Sequence, residues 1–356
     1  MSFSCNVCHC VQVANYVARG DGRRIQFCAD CGMGTIEDPP ESTEAFYEDG
    51  YYGQTAAGAV GYEDYAFTAE HGLLWARLFV EAAKPSGGRV LDIGCADGFL
   101  LRRLAGPYEC FGIEVNGSAA AQAASHGVTI LSHDVADPAI SVDKVGRFDV
   151  ITSIATFEHV LDFSGAIRKS LDLLTYNGVL LFEVPLISDH RDNRDWFNSS
   201  YEHISYPTIS GLERLFAINI DAYFSGFESD IKGYGSTYIG AATRDPAMFA
   251  SIDRLMRVMA QDGLDDLSVI ETRLNLAYHV VHCFRPTPER VLALPALLDI
   301  AATPNLLKRL TQLWYGDSVR ALEAETNSAQ AKWMEKQATN WQNAYHELAS
   351  TMQNSR

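Results

Sequence analysis

Short apolar runs recur through the middle of the chain, separated by stretches in which apolar residues return every three or four positions. The runs predict strands over 89–93, 110–114, 128–132, 148–153 and 179–184, and the periodic stretches predict helices over 99–104, 119–125 and 166–174. Strands apolar at successive positions leave no face for water, so they belong in a parallel sheet covered on both sides. A helix over 209–216 and strands over 218–224 and 236–243 follow, the last pair closing the sheet as a hairpin. The expected fold is α/β: a doubly wound, mostly parallel seven-stranded sheet. It is preceded by an amphipathic helix over 68–84 with Leu73, Leu74, Ala76, Leu78, Phe79 and Ala82 on its apolar side.

Changes of pattern mark off the flanking pieces. Residues 1–38 hold short strand-like segments around the turn signal Gly20-Asp21-Gly22 and end at Pro39-Pro40. Residues 39–67, acidic and rich in tyrosine and glycine, keep no period and read as a linker or lid before the core domain, 68–245. Residues 246–317 read as a helical extension, with helices over 247–261, 267–277 and 288–302 and an isolated strand over 278–284. In 318–356, Leu322, Thr326, Ala329, Trp333, Gln337, Trp341, Tyr345, Leu348 and Met352 stand three or four apart, the stripe of one long helix. Its spacing is nearer an eleven-residue than a seven-residue repeat, and its two tryptophans predict self-association into a homo-oligomer.

Composition narrows the class. Hydrophobic residues make up 47% of the chain, which excludes a largely disordered protein, and no run approaches the roughly 18–20 apolar residues of a membrane span. The opening MSFSCNVCHC has neither a basic lead nor an apolar stretch, so no secretory signal and a cytoplasmic location are expected. Lys and Arg number 28 against 45 Asp and Glu; the net charge of −17 repels phosphate backbones and counts against nucleic acid as a partner. Of eight cysteines, five precede residue 32, while Cys95, Cys110 and Cys283 stand singly in apolar surroundings, as core residues do.

Cys5-x2-Cys8 and Cys28-x2-Cys31 lie 19 residues apart, with Gly32 directly after the second pair. Two such turns aim four thiolates at one tetrahedral Zn²⁺, although His9 or Cys10 could stand in for Cys8. Four protein ligands leave no open position, so the metal would serve the fold, and residues 1–38 read as a small zinc ribbon.

The run Leu91-Asp92-Ile93-Gly94-Cys95-Ala96-Asp97-Gly98 sits where the first strand passes into a helix. Small residues at 94, 96 and 98 let a ligand approach the backbone, and Asp92 can receive a cationic or hydrogen-donating group. Glu114, 22 positions later, ends the second strand, where an acid accepts hydrogen bonds from ribose hydroxyls; Asp134, after the third, could reach an adenine amino group. The ordered set LDIGCADG, GIEVN, SHDVAD and FDVITSIATFEHV resembles that of class I S-adenosylmethionine methyltransferases over about residues 70–245. The resemblance implies that Asp92, Gly94, Cys95, Gly98, Glu114, Asp134 and Ser153 bind S-adenosylmethionine.

Methyl transfer requires an aligned acceptor and often a base. His159, after the fourth strand, is one candidate for that base or for shaping the pocket. Tyr201-Glu202-His203-Ile204-Ser205-Tyr206, after the fifth strand, is similar to a stretch of bacterial sugar methyltransferases, including C-methylating enzymes with an N-terminal zinc module. That similarity implies His203 as base and Glu202 as its support. Ser200 stands where the C-methylating enzymes have tyrosine, and their second α/β domain has no counterpart in the helical pattern after 246. O-methylation of a sugar, nucleotide sugar or glycan is therefore expected, with Arg191, Arg194 and Trp196 as candidate grips on that acceptor. The competing readings are a zinc-ribbon RNA methyltransferase, disfavoured by charge, and a scaffold that binds the cofactor without turnover.

Overall fold

Alternating burial along the central strands dictates the architecture. In the strand Leu174–Pro185, Val179 and Leu181 pack into one apolar layer while Leu180, Phe182 and Val184 pack into the other. A strand buried on both faces needs cover on both. The computed structural model describes residues 3–47, 51–52, 65, 69, 73–187, 200–218, 220–230 and 236–259. They lie within one compact unit, Met1–Thr287; a second, Pro288–Arg356, is outside the described residues.

The N-terminal module is an antiparallel meander of β1 (Val13–Ala18), β2 (Arg24–Cys28) and β3 (Gly34–Ile36), reversing between β1 and β2 at residues 20–22. A 3-10 turn, Glu44–Tyr47, and helix α1 (Leu74–Ala83) lead into the core. There β4 (Gly88–Ile93), α2 (Phe99–Leu104), β5 (Tyr108–Ile113), α3 (Gly117–Ser125), β6 (Thr129–Ser132), the single turn α4 (Val142–Val145) and β7 (Phe148–Ile154) alternate. A 3-10 turn at Phe157–His159, α5 (Phe163–Asp172) and β8 (Leu174–Pro185) follow, then β9 (Ser205–Tyr206), α6 (Ile209–Ile218), β10 (Tyr223–Asp230), β11 (Ser236–Thr243) and α7 (Pro246–Met259).

The main sheet has seven strands in the order β10-β11-β8-β7-β4-β5-β6; β4 to β8 are parallel, and β11 and β10 close the edge antiparallel. The α/β, doubly wound, mostly parallel expectation holds. Crossovers leave β4 toward β5 and β6 on one side, and β7 toward β8 on the other, so the β4–β7 junction is the switch point at which such sheets bind ligands. Trp75, Ala76, Phe79, Val80 and Ala83 of α1 bury against one layer with Leu100, Leu101 and Leu104.

Four differences from the sequence reading have local causes. The helix expected over 166–174 begins at Phe163, because Asp162 caps it by accepting from the Gly165 amide at 2.8 Å. Leu174 already belongs to β8. The strand expected over 218–224 starts only at Tyr223, since α6 runs on to Ile218 and buries Leu212, Leu215 and Phe216. The N-terminal module is not closed at residue 38: β9 adds a fourth strand, with Gly34 opposite Tyr206 and Thr35 opposite Ser205. The helices and strand expected after residue 261, the tryptophan stripe, and Arg191, Arg194 and Trp196 lie outside the described residues. Among the described residues no helix is long and apolar enough to cross a membrane.

Candidate active site

A cavity of about 1100 Å³ opens at the carboxyl ends of β4, β5, β7 and β8. At one end lie Gly94, Glu114, His133 and Asp134; at the other, Glu158, His159, Glu183, Glu202, His203 and Thr237. Gly94 must be glycine: it sits at φ +80, and a Cβ there would overlap the Thr156 side chain. Ala96 also adopts a left-handed φ of 46°, which turns its amide toward Glu114 Oε2 at 2.8 Å. The Asn116 amide donates to Oε1 at 2.9 Å and the Tyr52 hydroxyl to the same atom at 3.2 Å. Glu114 is 1% exposed; burial raises its pKa while these donors oppose the rise.

The other residues expected at the cofactor are spread around this cradle. Asp134 lines the cavity and accepts from the Ala136 amide at 2.8 Å. Asp92 is buried and accepts from Thr152 Oγ1 at 2.7 Å, and burial pushes its carboxyl up to about 7. Cys95 packs against Gly112, Gly98 forms the left-handed N-cap of α2, and Ser153 is fully buried in β7. These four are not among the residues that line the cavity; they shape the strand ends behind it.

At the acceptor end the two histidines stack obliquely, with ring centroids 4.9 Å apart. Glu158 Oε1 lies 3.4 Å from His159 Nε2 and 4.0 Å from His203 Nε2, whereas Glu158 Oε2 is buried without a hydrogen-bond partner. Burial alone would lower the His159 pKa, but the Glu158 charge and hydrogen bond outweigh it and the net shift is upward. Burial lowers His203 well below the usual imidazole value, and the charges of His159 and Arg19 lower it further. The paired carboxylate thus favours the cationic form of His159, while burial and the neighbouring charges favour the neutral form of His203.

Several of these partners carried no role in the sequence reading. The carboxylate beside the His203 ring belongs to Glu158, while Glu202 accepts from the Tyr51 hydroxyl at 3.3 Å. Tyr47 hydrogen-bonds His159 Nδ1 through its hydroxyl, so three tyrosines of the acidic linker reach three groups of the site. Glu183, at the end of β8, is pushed up to about 7 by burial and then by the nearby Glu158 charge. Tyrosine enrichment was the visible signal for the linker; nothing in the sequence distinguishes Glu158 or Glu183 from strand-end acids.

Away from the cavity, the ligand atoms of Cys5, Cys8, Cys28 and Cys31 lie within 4.8 Å of one another, with Cys5 Sγ to Cys31 Sγ at 3.5 Å and Cys8 Sγ to Cys28 Sγ at 3.4 Å. No disulfide joins them, and all-sulfur donors at this spacing suit a tetrahedral metal, whose sulfurs would stand about 3.8 Å apart. Cys10 instead accepts from the Gln12 amide at 3.4 Å, and His9 turns at φ 60.

Residues 67–218 match the family model described as a methyltransferase domain. Over that span the core is similar to methyltransferase domains. Over 102 residues the chain is 31% identical to a ubiquinone biosynthesis O-methyltransferase of Burkholderia vietnamiensis, covering 27% of this chain and 44% of that protein. A Methylococcus capsulatus protein of the same name is 27% identical over 110 residues, covering 29% and 46%. The chain thus spans less than half the length of these curated relatives. Among solved structures, the amino pentose methyltransferase of calicheamicin biosynthesis from Micromonospora echinaspora is 18% identical, with a TM-score of 0.39, over 51% of this chain and 92% of that one.

Proposed function

We propose that this protein transfers a methyl group from S-adenosylmethionine to a hydroxyl of a sugar, whether free, nucleotide-linked or part of a glycan. The observation that carries the reading is the single cavity joining the Gly94–Glu114 cradle to an acceptor end of carboxyls, imidazoles and hydroxyls. A polyhydroxylated acceptor finds partners on such a wall, where a long apolar one would leave them desolvated. The O-methyltransferase names of the curated relatives support oxygen as the accepting atom.

The bound cofactor supplies an electrophilic methyl on a sulfonium. The residues do the rest. Glu114, its oxygens already oriented by the Ala96 and Asn116 amides, would hold the ribose, with Asp134 toward the adenine. His203, neutral in its buried site, takes the acceptor proton, and Glu158 at 4.0 Å stabilises the imidazolium that forms. His159 stays paired with Glu158 and Tyr47 and shapes the wall. Cys5, Cys8, Cys28 and Cys31 would hold one Zn²⁺, which supplies cross-linking of the module and no chemistry.

Turnover of labelled cofactor against a panel of methyl glycosides, nucleotide sugars and phenols tests the reading. Sugars should be methylated and phenols not. A phenolic acceptor is the second reading, favoured by the ubiquinone-pathway names of the relatives, and exclusive methylation of phenols would establish it.

A further inference from the structure

The candidate base is held by a residue of the cysteine module. Arg19 closes β1 and its side chain is 1% exposed, an unusual place for a guanidinium unless its donors are used. Nε and Nη2 fork onto Asp21 at 3.0 and 2.6 Å, an ion pair that offsets the cost of burying the guanidinium. Nη1 then reaches across to the core domain, donating to the His203 main-chain carbonyl at 2.8 Å and to the Tyr206 hydroxyl at 3.0 Å. The guanidinium also lies 5.4 Å from the Tyr201 ring centroid.

The rest of the segment is stitched on both sides. The Ile204 amide donates to Glu158 O at 2.8 Å, and the Ile36 amide to Ile204 O at 2.9 Å. Gly34 lets β3 approach β9: a Cβ there would lie 2.7 Å from the Phe27 ring and 2.8 Å from Tyr206 Cβ. His203 is therefore suspended between the 3-10 turn that carries Glu158 and His159 and the meander that carries Arg19.

We propose that Arg19 is a positioning residue for His203: it fixes the main chain of the base and sets a permanent positive charge at that residue's carbonyl. The proposal rests on the reading of His203 as proton acceptor. The charged and titratable groups around His203 are Glu158 and His159 from the turn after β7 and Tyr206 from its own segment, all beside the ring, and Arg19, which reaches it at the main-chain carbonyl; Glu202 and Glu183 line the same cavity. Among these only His159 and Arg19 oppose protonation of His203, and only Arg19 does so at every pH.

The test uses the full chain, ¹³C-labelled at histidine and bound to S-adenosylhomocysteine, with the His203 signal assigned by its loss in His203→Gln. In Arg19→Gln and Arg19→Met the His203 titration should move upward by roughly one pH unit, because a like charge has gone. In Arg19→Lys, which keeps the charge without the fork, it should stay near wild type, while turnover falls on the order of 10²-fold through misplacement of the ring. Unchanged titration in both neutral variants overturns the proposal. So does loss of S-adenosylhomocysteine binding in both, which would make Arg19 a fold residue only. Because the titration needs no acceptor, it stands apart from the base reading, which fails instead if His203→Gln turns over normally.

Discussion

The two ends of the cavity are built by different means. At the cofactor end the decisive contact, the Ala96 amide on Glu114, spans 18 positions and comes from one strand-turn-helix unit and its neighbouring strand. At the acceptor end the bonds span 112 positions from Tyr47 to His159, 151 from Tyr51 to Glu202, and 184 from Arg19 to His203. The first end follows from local geometry wherever the sheet forms. The second draws on the linker and, through Arg19, on the cysteine module, so damage to that module should silence the chemistry and spare cofactor binding.

The largest effect should come from the metal. Metal analysis should find one Zn²⁺ per chain, and removing it with a chelator, or substituting Cys31→Ser, should abolish turnover. Structural zinc is worth about 10 kcal/mol or more to a small module, far beyond what the few apolar residues between β2 and β9 can replace. Calorimetry with S-adenosylhomocysteine should show nearly unchanged affinity. Parallel loss of binding would mean that the two ends are one folding unit and would break the comparison.

Next in size, His203→Gln should lower turnover roughly 10²- to 10⁴-fold with cofactor affinity unchanged. Because His203 is held well below the ordinary imidazole range, it stays neutral as the pH falls through 6.5, and the acid limb of kcat/KM should lie below that pH. A limb centred above 6.5 would hand the proton to another group. On the opposite end, Glu114→Ala should weaken S-adenosylhomocysteine binding by about 1.5–3 kcal/mol, the worth of charge-assisted bonds to the ribose.

The same contrast decides what the sequence could disclose. The apolar runs, Gly94 and Glu114 are periodic or motif-bound signals, and the mostly parallel seven-stranded sheet and the cradle follow from them. Element ends were displaced where a local cap intervened, as at Asp162, or where a helix ran on past its buried face, as α6 does to the exposed Ile218. Arg19 carries no such signal. An arginine two residues before an aspartate in a hairpin reads as a solvated turn pair, and only the close approach of β9 to β3 turns it into a buried fork. The part of Glu158 was hidden for a related reason: its partners His159 and His203 meet only after β8 and its following segment return to the cavity.

The smallest effect separates stability from chemistry at the rim of the acceptor end. Asp162 follows the His159 turn, lines the cavity, and caps α5 through the Gly165 amide. If the cap is its whole contribution, Asp162→Ala costs about 1 kcal/mol, and the thermal midpoint falls by roughly 2–4 °C for a chain of this size. Asp162→Asn, which still presents an oxygen to that amide, should recover most of the loss. Well below the midpoint both variants should turn over as the wild type does, because His159 is held by Glu158 and Tyr47 rather than by the helix that follows it. A drop in kcat/KM at low temperature, with the midpoint restored in the asparagine variant, would place the Asp162 carboxylate on the acceptor itself. The acceptor end would then extend one turn further along the rim than the histidine pair defines.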